Sequence, residues 1–161
     1  MILTALEGGP VGIIQTEKDG NIHAYDMIKG CLLREIHAGT PLPSVIGANI
    51  IKDTPIIISI CSDFFIRAWD LSTGKLLSES PTQYDCCINP IVVGEVGGHN
   101  IVVAFELGDD GGMIRIWRLS DWYELLAISL PFNNDAISIQ DPFVCVGSEK
   151  GILCLCVNPS L

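Results

Sequence analysis

A hydrophobic pattern that recurs every ~40–50 residues constrains this chain more than any other feature, because repeats at such periods build arrays of supersecondary units. The clearest copy is "FFIRAWDLSTGKLL", residues 64–77. An apolar/polar alternation runs into Trp69-Asp70, turns over Ser72-Thr73-Gly74 and resumes as a second apolar run. "GMIRIWRLSDWYELLAISL" puts Trp117 in the same setting, "GNIHAYDMIKGCLLREI" puts Tyr25 there with Asp26 after it, and "GILCLCVNPSL" puts Cys156 there. These anchors, at 25, 69, 117 and 156, are separated by 44, 48 and 39 residues.

Two β-rich runs precede each anchor. They are "ILTALEG" and "VGIIQTE" before Tyr25, "SVIGANII" and "PIIISICS" before Trp69, "NPIVVGEV" and "HNIVVAFEL" before Trp117, and "DAISIQ" and "FVCVGSE" before Cys156. Val, Ile and aromatic residues fill the runs, while Gly, Pro, Asn and Asp punctuate them. Tight turns such as Asp19-Gly20 mark hairpins. A 3.6-residue apolar period is nowhere sustained over ten residues, so no helix is expected. Each unit therefore reads as strands a, b, c and d, with the fourth unit lacking d. The expected fold is all-β, with fifteen strands in four antiparallel units at about 1–37, 38–81, 82–130 and 131–161, each the length of a four-stranded propeller blade. A generic antiparallel sandwich or barrel is the alternative, since it too has many short strands and frequent turns.

Nearly the whole chain resembles the WD-repeat family of β-propellers, with "FFIRAWDLSTGKLL" the closest copy. The resemblance implies a hydrogen-bonded set of a strand-b Ser or Thr, a turn Asp and the strand-c Trp, often with a His before strand a. In the second unit Ser59, Asp63 and Trp69 fall at the matching positions, with His37 displaced by a residue or two from the expected histidine. A buried indole N–H needs an acceptor, and a carboxylate that receives turn amides pins the b–c hairpin. Tyr25, Asp26, Asp70 and Trp117 are the remaining anchors. The first unit has Gln15 where Ser or Thr is expected, the third has Trp117-Arg118 and so loses the dipeptide Asp, and the fourth keeps Gly147-Ser148 but has Cys156-Val157.

Propellers close a ring of ~4–8 blades, which removes open sheet edges. Four units, the last lacking its outer strand, would make about half of a ring of the WD type. Two copies forming an eight-bladed ring, a different chain supplying blades, or a longer protein containing this piece each satisfy that need, and a tight closure of the four blades on themselves is the remaining option. Apolar residues make up 48% of the 161 and charged residues only 17%, so apolar surface remains for another element to cover. The net charge of −10 repels phosphate backbones and argues against nucleic acid. No stretch is long and apolar enough for a transmembrane helix. "MILTALEGG" lacks the basic start of a signal peptide. The seven cysteines then read as reduced thiols buried in strands of a cytoplasmic protein.

No residue set points to catalysis, a cofactor or a metal. Cys145, Cys154 and Cys156 could form part of a metal site or act as three small buried hydrophobes; their spacing is not that of a zinc finger. Cys86 and Cys87, adjacent in sequence, point to opposite faces of a strand and make poor joint ligands. Asp109-Asp110 before Gly111-Gly112 reads as a hairpin turn. Tyr84, Phe132 and Asn134, on loops between units, suit a recognition rim, or else the two rings plug gaps between blades. The expected function is that of a non-catalytic protein–protein interaction scaffold, completed by a second chain or copy. The alternative is a regulatory or sensor subunit of a larger enzyme complex.

Overall fold

The computed structural model describes residues 2–6, 9–15, 20–38, 44–60, 63–81, 83–84, 88–108, 111–133 and 136–158. The protein is all-β among these residues, with fifteen strands in four antiparallel sheets. The first sheet runs β1 (Ile2–Leu6), β2 (Gly9–Gln15), β3 (Asn21–Asp26), β4 (Cys31–His37) in that spatial order. The second runs β5 (Ser44–Ile51), β6 (Thr54–Ile60), β7 (Ile66–Asp70), β8 (Leu76–Glu79), and the third β9 (Ile88–Val96), β10 (His99–Gly108), β11 (Gly111–Arg118), β12 (Tyr123–Leu130). The fourth has three described strands, β13 (Ala136–Gln140), β14 (Phe143–Ser148) and β15 (Gly151–Cys156). Every sheet is a meander, because the turns are too short for anything but antiparallel neighbours.

The chain divides into two compact units, Met1–Tyr84 and Asp85–Leu161, with two sheets in each. In the first unit, Val11, Ile13, Ile22, Ala24 and Ile36 of the first sheet pack with Ile57, Trp69 and Leu71 of the second. In the second unit, Ile101, Val103, Phe105, Ile114 and Ile116 of the third sheet pack with Val144 and Val146 of the fourth, which Leu153 and Leu155 flank. Alternation explains both cores, since residues i and i+2 on a strand share a face.

One backbone hydrogen bond recurs in all four sheets and aligns them. The amides of Met27, Leu71, Leu119 and Val157 donate to the carbonyls of Pro10, Pro55, Asn100 and Pro142 at 3.1, 2.8, 2.8 and 2.9 Å. Tyr25-Asp26, Trp69-Asp70 and Trp117-Arg118 thereby become equivalent, as read from the sequence. The fourth unit is corrected by one residue: Leu155, not Cys156, takes the anchor position, with Cys156 in the place of the dipeptide Asp. The misreading has a physical basis. "ILCLC" alternates two apolar sets, and only the strand register says which set faces the core. A second repeated feature is a register shift immediately before the anchor, at Ala24/Tyr25, Ala68/Trp69 and Ile116/Trp117, where β4, β8 and β12 pair with the third strand of their sheets. Such a bulge adds local twist.

Candidate functional site

The second sheet is built around the Trp69 hairpin. Trp69 is buried at the end of β7, and its Nε1 donates to Ser59 Oγ on β6 at 2.9 Å. The buried hydroxyl thus satisfies the indole N–H, the one polar group the ring brings into the core. Asp63 is engaged elsewhere. Both its carboxylate oxygens accept from the Arg67 guanidinium, at 2.9 and 2.7 Å, and one also accepts the Phe65 amide at 3.3 Å. The serine–tryptophan bond and the Asp63 turn are therefore two local devices on one hairpin. His37 ends β4 in the first sheet and pairs its Nδ1 with Asn21 Oδ1 at 3.1 Å.

Register accounts for the other units. Ser59 opposes Arg67, and the same place is held by Ile14 opposite His23, Ala104 opposite Arg115, and Val146 opposite Leu153. Ile14, not Gln15, is the residue that replaces the serine in the first unit. The hydroxyl acceptor is present only in the second.

The turns after the anchors are better preserved. Asp26 accepts the amides of Ile28 and Lys29, both at 2.8 Å. Asp70 accepts the Ser72 amide at 2.8 Å and the Thr73 hydroxyl at 2.7 Å. Gly30 and Gly74 close these turns at φ of 66° and 74°, where a glycine costs least. In the third unit Arg118 replaces the aspartate, yet the same closing bond forms. The Trp122 amide donates to the Arg118 carbonyl at 2.8 Å with φ of 56°. Asp121 supplies the missing carboxylate, ion-paired to Arg118 at 2.7 Å. The buried Trp122 ring lies 6.4 Å from Trp117, centroid to centroid, so the strained turn is held by packing.

A feature not picked out in the sequence is a histidine or arginine two residues before each of the first three anchors, paired with an acid on the outer strand. His23 Nε2 lies 3.3 Å from Glu35, Arg67 Nε 2.6 Å from Glu79, and Arg115 Nη1 2.6 Å from Glu124. Arg115 also reaches Glu106 at 3.0 Å. In the fourth sheet, which has no described outer strand, the position is Leu153. The signal was legible as His/Arg at anchor minus two.

Of the proposed recognition residues, Phe132 is half-buried and packs against the core of the second unit. Tyr84 is half-buried, with its amide donating to the Phe64 carbonyl at 3.0 Å. Asn134 lies outside the described residues, as do Asp19, Cys86, Cys87, Asp109 and Asp110. The expectation of buried thiols is overturned where cysteines are described: Cys31, Cys154 and Cys156 are exposed and Cys145 is partly so. Among the described residues no group of three or more His, Cys, Asp or Glu side chains could hold a metal ion, and no helix is long and apolar enough to cross a membrane.

No family model matches the chain. No curated protein does either. Solved structures do. The crystal structure of the computationally designed Ika8 protein superposes with a TM-score of 0.65 at 21% identity, over 96% of this chain and 45% of that one. That of the computationally designed Ika4 protein does so with a TM-score of 0.62 at 21% identity, over 98% of this chain and 99% of that one. The likeness is one of fold.

The carboxylates on these turns set the acid response. Arg118 holds Asp121 at about 2. Hydrogen bonds from the Arg67 guanidinium hold Asp63 below its usual 3.8, and the Lys29 amide does the same for Asp26. Burial pushes Asp70 up, but the Thr73 hydroxyl and Ser72 amide outweigh it and leave that carboxyl lowered too. A depressed carboxylate stabilises the fold fully above its unfolded value, and that contribution disappears as pH falls through the folded value. Denaturation midpoints are therefore expected to hold down to about pH 4 and to drop between pH 4 and about 2. An Arg118→Gln variant will lose part of that drop. Midpoints of the parent protein that do not change over this window would refute the assignment.

Proposed function

We propose that this protein is a non-catalytic protein–protein interaction scaffold of WD-repeat type, its sheets being successive propeller blades completed by a second chain or a second copy. One observation carries this reading. The outer face of the fourth sheet is exposed at repeat positions that are buried in the other three. Ile22, Ile66 and Ile114 are each 0% exposed, whereas the equivalent Ile152 is 78% exposed. Val11, Ile56 and Ile101 are buried, whereas the equivalent Phe143 is 44% exposed. Ala24, Ala68 and Ile116 are buried, whereas the equivalent Cys154 is exposed.

These residues were selected by the same alternation that fills a sheet-to-sheet core, and exposed apolar surface of this kind marks an interaction site. The first sheet has the converse face open. Met27 is exposed where the equivalent Leu71, Leu119 and Val157 are buried, and Tyr25 is only half-buried where Trp69 and Trp117 are buried.

A mass measurement in solution tests the proposal. A species at about twice 17.4 kDa, or a complex with a co-purifying chain, is expected. Ile152→Asp should return the protein to a single chain while leaving its strand content intact. A well-folded wild-type monomer of 17.4 kDa, with Ile152→Asp behaving identically, would overturn it.

A further inference from the structure

Cys145 and Cys154 are direct cross-strand neighbours on β14 and β15. In an antiparallel ladder, hydrogen-bonded and non-hydrogen-bonded pairs alternate, and the two kinds differ in separation. The Val157 amide donates to the Pro142 carbonyl at 2.9 Å, which makes that pair hydrogen-bonded. Counting inward along the register, Phe143↔Cys156 is non-bonded, Val144↔Leu155 bonded, and Cys145↔Cys154 non-bonded. In a non-bonded pair the Cα atoms lie ~4.5 Å apart with side chains close together, inside the ~4.4–6.8 Å range of disulfides. Both thiols reach solvent on the outer face of the fourth sheet, Cys154 more than Cys145.

The competing pair is less favourable. Cys154 and Cys156 share that face but sit two residues apart on one strand, so their Cα atoms are ~6.6 Å apart with parallel side chains. Cys156 is opposite Phe143, not a thiol. Cys31 belongs to the other compact unit.

We propose that Cys145 and Cys154 form a reversible dithiol–disulfide site that is oxidised by a small-molecule disulfide of the glutathione class. Cys154, the more exposed thiol, loses its proton and attacks one sulfur of the oxidant. The oxidant's S–S bond breaks, one glutathione leaves as thiolate and takes up the proton, and a mixed disulfide remains on Cys154. Cys145 then loses its proton and attacks the Cys154 sulfur, and the second glutathione leaves as thiol. Two protein thiols are oxidised, one glutathione disulfide is reduced, and two glutathiones are released. The order agrees with the local chemistry: the adjacent Cys154 thiol, and secondarily burial, push the Cys145 thiol above its usual value, which suits a resolving group acting at close range. The new bond would tie β15 to β14 in a sheet with no described fourth strand.

The test is equilibration of the purified protein in glutathione redox buffer, followed by alkylation, denaturation and mass analysis with and without tryptic digestion. Lys150 lies in the turn between the two cysteines, so cleavage there separates their peptides unless a disulfide joins them. The expected product has lost two hydrogens and yields one linked species containing Cys145 and Cys154. Cys145→Ser should instead accumulate glutathione on Cys154. Cys156→Ser should leave formation of the link unchanged. Persistent glutathione on Cys154 in the wild type, free thiols at both positions in fully oxidising buffer, or a dominant link to any other cysteine would overturn the proposal. Because a second chain on this face would shield both thiols during equilibration, the same test is run on the Ile152→Asp single chain, where free thiols at both positions overturn the proposal whatever the assembly of the wild type.

Discussion

Replacing Trp69 by alanine will lower the unfolding free energy by about 3–5 kcal/mol, the range for deleting a buried aromatic side chain from a packed core. Trp69 is 5% exposed and packs with Ile57, Leu71 and the first-sheet residues Val11, Ile13, Ile22 and Ile36. Two effects add. The indole leaves a cavity that strands held in ladders cannot collapse to fill, and Ser59, buried beside it, loses its hydrogen-bond donor. Trp69→Phe separates them. It keeps much of the ring volume and removes the donor, so about 1–3 kcal/mol is expected, the cost of a buried polar group left unmatched. Removing both partners, in Ser59→Ala with Trp69→Phe, should cost less than the sum of the single changes. Equilibrium denaturant titration of the four proteins measures this. A Trp69→Ala variant with unchanged midpoint and slope would show that this residue does not organise the second sheet.

Gly111→Ala is expected to be nearly as damaging, at about 2–4 kcal/mol, since it combines a forbidden backbone conformation with a steric clash. Gly111 begins β11 at φ of 140°, a region open to glycine and closed to residues with a side chain. A Cβ there would collide with the Leu130 carbonyl oxygen and lie 3.1 Å from the Phe132 nitrogen. Both obstacles are backbone, so no rotamer change relieves them. The hairpin and the start of the β12 pairing would have to move together. Gly151 gives the control. It starts β15 at φ of 131° but has nothing near the position of its absent Cβ. Gly151→Ala should therefore cost only the backbone strain, measurably less than Gly111→Ala. Equal losses in the two variants would mean that the clash contributes nothing.

Much of the fold was legible because its signals are local. Alternation of Ile, Val and aromatic residues specifies strands, and Gly, Pro and Asp between them specify short turns, so the fifteen strands and their grouping followed from segments of a few residues. Trp69 and Ser59 were also legible, since a buried indole demands an acceptor on the neighbouring strand. The repeated His23, Arg67 and Arg115 were overlooked. Their acids lie on the next strand and are 12 residues away for His23 and Arg67 but 9 for Arg115. No single sequence spacing expresses that relation.

By itself, then, the sequence determined the all-β class, the meander order and the places where the chain turns, because each depends on contacts between neighbours in sequence. Three points were settled only by the tertiary structure. Register moved the fourth anchor from Cys156 to Leu155, since a shift of one residue exchanges the two faces of a strand. It also paired Asp63 with Arg67 instead of adding it to the Trp69 set, because a charged partner within reach outweighs a neutral one. Finally, it separated apolar residues that face a neighbouring sheet from those that face none. Ile114 and Ile152 occupy the same repeat position, and only the packing of distant strands makes one buried and the other exposed.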